Sequence, residues 1–164
     1  MKTLEDLFKH QIKDLYSAET QLILAIPKMV DRASNKKLIK AFENHLKETK
    51  EQKSRLETIC RELNISPSGE KCHAMKGLIK EAKSFMKEVE DNEVLDAGLI
   101  AEAQRIEHYE ISGYGTAVRY AKELGLRQIA KKLQEILNEE YDANNALNEI
   151  AENRVNRKAL DNLN

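Results

Sequence analysis

Each long apolar seam in this chain is interrupted near its middle by a carboxylate. Glu19, Glu48, Glu110 and Glu140 lie near the midpoints of four helical patterns. Glu19 and Glu48 are about equally far from a turn near Ala33 and Ser34, and Glu110 and Glu140 are each fifteen residues from Gly125. Two antiparallel hairpins folded at those turns bring all four carboxylates to one level. A carboxylate in a core position must be protonated, paired or bound to a cation. The chain is therefore predicted to fold around a polar layer, and a set converging on one point suggests metal, in the form of a pair of ions.

The chain's 164 residues fit one domain over residues 1–164, with a polar tail from about 154 that frays. Charged residues make up 34%, Trp is absent, and there are two Pro and six Gly, which suits long amphipathic helices. A formal net charge of −1 with both signs interspersed argues against a nucleic-acid partner held by a broad basic surface. No apolar run approaches the length of a membrane span. The first six residues lack the apolar core of a signal peptide, so a cytoplasmic location is expected. Cys60 and Cys72 are too few for a disulfide framework and read as reduced thiols. Cys72-His73 has no partner motif that would make it a metal site.

The periodicity predicts a first helix from about Thr3 to Ala33, with Leu4, Phe8, Ile12, Leu15, Leu22, Ile26, Met29 and Ala33 on its buried stripe and Glu19 inside the series. Pro27 is expected to kink it, and Ser34 or Asn35 to cap the next helix. The second helix, about Lys36 to Leu63, has an apolar seam at both ends and a polar middle of His45, Thr49 and Gln52. A shorter helix, about Cys72 to Val89, is long enough to return the chain along the bundle. The third long helix runs from about Glu93 to Leu124 and the fourth from about Leu126 to Asn153, with Gly125 as the stop between them. Two antiparallel helix hairpins joined by a helical crossover make an all-α, ferritin-like antiparallel four-helix bundle. The halves form a weak internal repeat, with a first-helix Glu about thirty residues before a second-helix Glu in each.

Carboxylate oxygens suit iron and manganese, with imidazole as a borderline partner. His45 and Glu48 are three residues apart on a helix, as are Glu107 and Glu110, so each pair shares a face. With Glu19 and Glu140 they form a metal-ligand set of five carboxylates and one imidazole. That set suffices for two iron or manganese ions with positions left for water, peroxide or dioxygen. The competing reading is a metal-free network of buried ion pairs. Two members have ordinary readings of their own: His45 as a core histidine bonded to a carboxylate, Glu107 as a solvent-facing acid. Tyr16, Tyr114 and Tyr141 fall near the same level, where an aromatic wedge is the plainer reading and a hydrogen bond to a ligand the sharper one. Gln52 is placed to support a ligand. Gly113 and Gly115 suggest close helix approach or local bending.

The segments Asp14 to Leu22, His45 to Glu57, Glu107 to Thr116 and Leu137 to Glu140, in that order, resemble the YciE/YciF family of bacterial stress-associated, ferritin-like proteins. The most specific are Glu107-His-Tyr-Glu110-Ile and His45-x-x-Glu48-Thr, and the resemblance runs from about Thr3 to Ala151. It implies a di-metal bundle, a homodimer and stress-linked expression, without fixing a reaction. The chain departs from better-known ferritin-like proteins in two places. The second helix has His45 before Glu48 rather than Glu before His, and Ala143 stands three residues after Glu140 where a second histidine would fall. Asn144 stands where related chains often carry an acid. A site with one imidazole and many carboxylates is hard and anionic, and it holds oxidised metal well. The expected function is di-metal stress defence that acts on dioxygen or hydrogen peroxide, as a ferroxidase or peroxidase. The alternatives are metal sequestration without turnover and a structural bundle.

Overall fold

The computed structural model describes residues 1–161. Four long helices and one short one form an all-α bundle: α1 (Leu4–Arg32), α2 (Lys36–Glu62), α3 (His73–Glu88), α4 (Asn92–Glu123) and α5 (Arg127–Ile150). A π-helical turn, Ala151–Val155, then leads into α6 (Asn156–Asp161). The helix starts follow from local chemistry. Thr3 and Asp6 form a reciprocal capping box on α1. Asn35 accepts from the backbone of Lys37 and Leu38 to open α2, and Asp91 does the same for Glu93 and Val94 at α4. α2 and α4 each close with a left-handed residue, Asn64 (φ 52°) after α2 and Gly125 (φ 72°) after α4, whereas α1 ends in the extended Ala33. In each case the next residue, Ile65 or Leu126, donates back to a carbonyl in the last turn, from Cys60 and Ala121 respectively. α1 continues through Pro27 to Arg32.

The long helices pack as a ring in which α1 touches α2 and α4, and α5 touches α2 and α4. The apolar core is split in two. One cluster, including Leu22, Leu38, Phe42, Leu95, Leu99, Ile106 and Leu147, joins the C-terminal half of α1 to the N-terminal halves of α2 and α4 and the end of α5. The other, including Phe8, Ile12, Leu15, Leu56, Tyr114, Leu133 and Ile136, fills the opposite end. Neighbouring long helices are thus antiparallel. Between the clusters every long helix turns polar at once: Glu19 in α1, His45 to Gln52 in α2, Glu107 and Glu110 in α4, Glu140 and Asn144 in α5.

Two expectations about the backbone are revised. The crossover helix spans only half of the bundle: Cys72, Met75, Ile79 and Met86 all join the first cluster, and the chain covers the other half as residues 63–72, with Leu63 and Ile65 against the second cluster. The tail from residue 154 does not fray as expected within the described residues. Helical structure persists to Asp161 and Val155 is buried against the first cluster; residues 162–164 lie outside the described part. Leu4, read as a seam residue, is 37% exposed, because it precedes the first turn that the neighbouring helices cover.

Candidate metal centre

α4 supplies Glu107 and Glu110, one turn apart, α2 supplies His45, and α5 supplies Glu140. One donor atom from each of these four residues lies within 4.8 Å of the others, and all four residues are buried. His45 Nε2 is 3.4 Å from a Glu107 oxygen, beyond a good hydrogen bond. Such a set could hold a metal ion. Glu19 and Glu48, also expected here, fall outside that tightest group. Glu19 is fully buried in the same layer, where it receives a hydrogen bond from the Tyr114 hydroxyl. Glu48 is half-buried and lines a cavity with His45 and Glu107. The solvent-facing alternative for Glu107 does not hold, since it is 2% exposed.

Burial dominates the electrostatics. It pushes the carboxyls of Glu19, Glu107 and Glu110 well above their ordinary range, and the neighbouring Glu140 adds to each shift. Glu140 itself is raised to about 7, again chiefly by burial. Desolvation lowers His45 to about 4, so the imidazole is neutral at pH 7. Glu48 is raised by burial and then by Glu139, Glu51 and Asp142. Four carboxyls that resist ionisation and one neutral imidazole share the layer, and the cation that acts on it, Arg55, favours the charged forms of Glu19 and Glu48 while itself engaging Glu139. Glu110 has two buried oxygens without a hydrogen-bond partner, and Glu19, Glu107, Glu140 and both ring nitrogens of His45 contribute further unpartnered atoms. Buried polar atoms are rarely left so. The donor set, oxygen-rich with one imidazole, fits iron or manganese.

The surrounding residues hold the donors in place. Gln52, one turn past Thr49 on α2, donates from one amide nitrogen to Glu140 and, at 3.0 Å, to Glu139. Arg55 engages Glu139. Of the three tyrosines near this level, only Tyr114 reaches the layer; it is fully buried and acts as a hydrogen-bond donor as well as filling space. Tyr16 bonds Glu57 at 3.1 Å, and Tyr141 is 48% exposed. Gly113 lets α4 approach α1 closely: a Cβ there would come within 2.8 Å of Leu15 Cδ2. Cys60 and Cys72 are both free and buried. His10, His73 and His108 stay away from the donor group.

Sequence reasoning missed several polar residues. Asp142 lies on the cavity wall, and as an exposed helical acid it carries no periodic signal. Tyr109 bonds Asp14 and Cys72, joining α4 to α1 and to the start of α3, and partners on separate helices leave no mark in local spacing. Asp96, buried on α4, accepts from the Ser34 and Asn35 backbones and the Ser34 hydroxyl. It lies one position off the stripe carried by Leu95 and Leu99, so the apolar period gave no sign of its burial. Among the described residues no helix is long and apolar enough to cross a membrane.

Comparison with known proteins agrees with this architecture. Residues 3–160 match a family described as a domain of unknown function, DUF892. The chain is 48% identical over 160 residues to protein YciF of Escherichia coli strain K12, covering 97% of this chain and 96% of that one. The crystal structure of the E. coli stress protein YciF superimposes with a TM-score of 0.91 at 47% identity, covering 95% of this chain and 99% of that one. YcfI of Rhodopseudomonas palustris, described provisionally as a structural protein, gives a TM-score of 0.88 at 45% identity over 90% of this chain and 94% of that one. On the match over residues 3–160 and the near-full-length identity to YciF, the chain belongs to the DUF892 family, that of the stress protein YciF.

Proposed function

We propose that this chain is a di-metal carboxylate protein of stress defence, binding two iron or manganese ions and meeting dioxygen or hydrogen peroxide. The observation that carries the reading is the convergence of His45, Glu107, Glu110 and Glu140 within 4.8 Å in the buried layer between the two halves of the core. Glu19, buried in the same layer, and Glu48, from the cavity wall, complete the ligand set. When bound, such ions supply electrons to, or accept them from, a small oxygen species. The chain's residues hold, orient and exclude. Gln52 and Tyr114 fix the rotamers of Glu140 and Glu19 through hydrogen bonds, and the two apolar clusters close the layer at both ends. Burial favours the protonated form of these carboxyls, and a bound cation would displace those protons.

A second reading, sequestration without turnover, is favoured by one observation. Ala143 occupies the position one turn after Glu140, which leaves His45 as the lone imidazole among carboxylates. An anionic donor set of this kind stabilises the oxidised ion over the reduced one. The homodimer rests on the family resemblance alone. The cytoplasmic location rests on the sequence reading alone.

The test is metal per chain, by elemental analysis, after anaerobic loading of purified protein with ferrous or manganous ion. A Glu19→Ala/Glu140→Ala variant is measured alongside. About two ions per chain, lost in a folded variant, is the expected outcome. Oxygen or peroxide consumption by the loaded protein then supports the redox enzyme, and tight binding without consumption supports sequestration. No metal after loading would leave the layer as a polar network in a structural bundle.

A further inference from the structure

Between α2 and α5 a cavity of about 130 Å³ leads from the surface to the buried donors. Its inner wall includes the buried His45 and Glu107, and its rim includes the exposed Asp142. Ala143 leaves the gap open at the place where a longer side chain, one turn after Glu140, would close it. Among the described residues no lysine or arginine lines it, and its carboxylates are Glu107, Glu48 and Asp142, in order from inside to outside by exposure. Arg55, the cation nearest this acidic stretch in its electrostatic effect on Glu48, is engaged by Glu139. At the inner end both ring nitrogens of His45 and one Glu107 oxygen have no hydrogen-bond partner. Drug-sized ligands and organic cofactors occupy pockets of roughly 300–1,000 Å³; this one has room for a few waters and an ion.

Resting on the metal-binding reading above, we infer that the α2–α5 cavity is the portal through which a divalent cation reaches the centre, guided from Asp142 past Glu48 to His45 and Glu107. The graded exposure gives the route a direction. An ion meets a carboxylate in high dielectric first, where it keeps its water, and exchanges water for protein oxygen as it moves inward. The acidic lining raises the local concentration of cations and lowers that of anions, an effect that salt screens. The route also limits what can approach the centre to ions and molecules of a few atoms.

The portal is tested by the rate of loading, which separates it from the existence of the site. Cobalt(II) is mixed rapidly with metal-free full-length protein, and the absorbance of the bound ion is followed at two ionic strengths. Ala143→Leu narrows the gap and Asp142→Asn removes the rim charge; neither residue is a proposed ligand. Glu123→Gln, at the far end of α4, controls for net charge. Expected are loading slowed by at least about tenfold in Ala143→Leu and several-fold in Asp142→Asn, the latter deficit shrinking at high salt, with the final metal per chain unchanged. Asp142 is exposed, so its variant tests the route even where Ala143→Leu folds poorly. Wild-type loading rates in Asp142→Asn and in folded Ala143→Leu would overturn the portal and leave the metal site standing. A wild-type protein that takes up no cobalt, iron or manganese would overturn the site and the portal together.

Discussion

Glu110 shows how a single residue can oppose stability in this protein. Its side chain is fully buried and neither oxygen has a hydrogen-bond partner. In the metal-free protein it therefore carries a desolvation cost that a proton shared with the neighbouring Glu19 carboxyl offsets only in part. Glu110→Met keeps similar length and removes that cost. The chelated variant is expected to be more stable than chelated wild type by about 1–4 kcal/mol, read as a thermal midpoint several degrees higher, while metal per chain falls. A lower midpoint in the chelated variant would mean that the carboxyl has a stabilising partner without metal. At this scale the sequence was legible where a charged residue breaks an apolar period: Glu19, Glu110 and Glu140 stand in the seams and are all fully buried. Glu107 was ambiguous because it sits off the predicted seam. α4 buries a wider stripe than one seam because it faces both α1 and α5 along its length, and Tyr114 is buried in the same way within the second cluster. Such coverage depends on tertiary neighbours and leaves no local pattern.

At the level of elements, the docking of α3 is the least predictable part of the bundle, since a half-length helix can lie in many places. Its seat is set by Gly98 on α4. A Cβ built there would lie 1.9 Å from the Phe85 ring, so the absence of a side chain is what admits that ring. Gly98→Ala is expected to destabilise by about 1–3 kcal/mol through overpacking, partly offset by up to about 1 kcal/mol of helix propensity. In a Phe85→Ala background the clash is gone and the same change should become neutral or stabilising. Urea denaturation of the four proteins in the cycle gives the coupling; equal effects of Gly98→Ala in both backgrounds would show that Phe85 is not what α3 packs with at that point. The four long helices were readable because each carries its periodic stripe and capping chemistry locally. The crossover's height was not, because it depends on where residues 63–72 leave α2 and on contacts such as Cys72 N–H to Ser17 Oγ at 3.0 Å.

For the whole molecule, a core divided by a buried acidic layer should make stability depend on pH in the sense opposite to ordinary acid denaturation. A carboxyl raised in the folded state binds more protons there than in the unfolded chain. Stability is then highest below the unfolded value near 4.5 and falls as pH rises through the folded value. Glu140, raised from 4.5 to about 7, contributes a loss on the order of 3 kcal/mol across that window. Glu19, Glu107 and Glu110 act in the same direction and extend the loss above it. His45, lowered from 6.5 to about 4, works the other way. Folding it neutral favours stability as pH rises from about 4 to 6.5, one group against four. The chelated protein is therefore expected to lose thermal stability between about pH 5 and pH 8, most steeply once His45 no longer offsets the carboxyls. Metal reverses the trend, because binding requires deprotonated ligands and stabilises the folded state in proportion to its occupancy. Melting curves of chelated and manganese-loaded protein over that range should diverge with rising pH. If the chelated protein instead grows more stable toward pH 8, the carboxyls are ionised and compensated without metal, and the layer is a finished structural network rather than a site waiting on a cation.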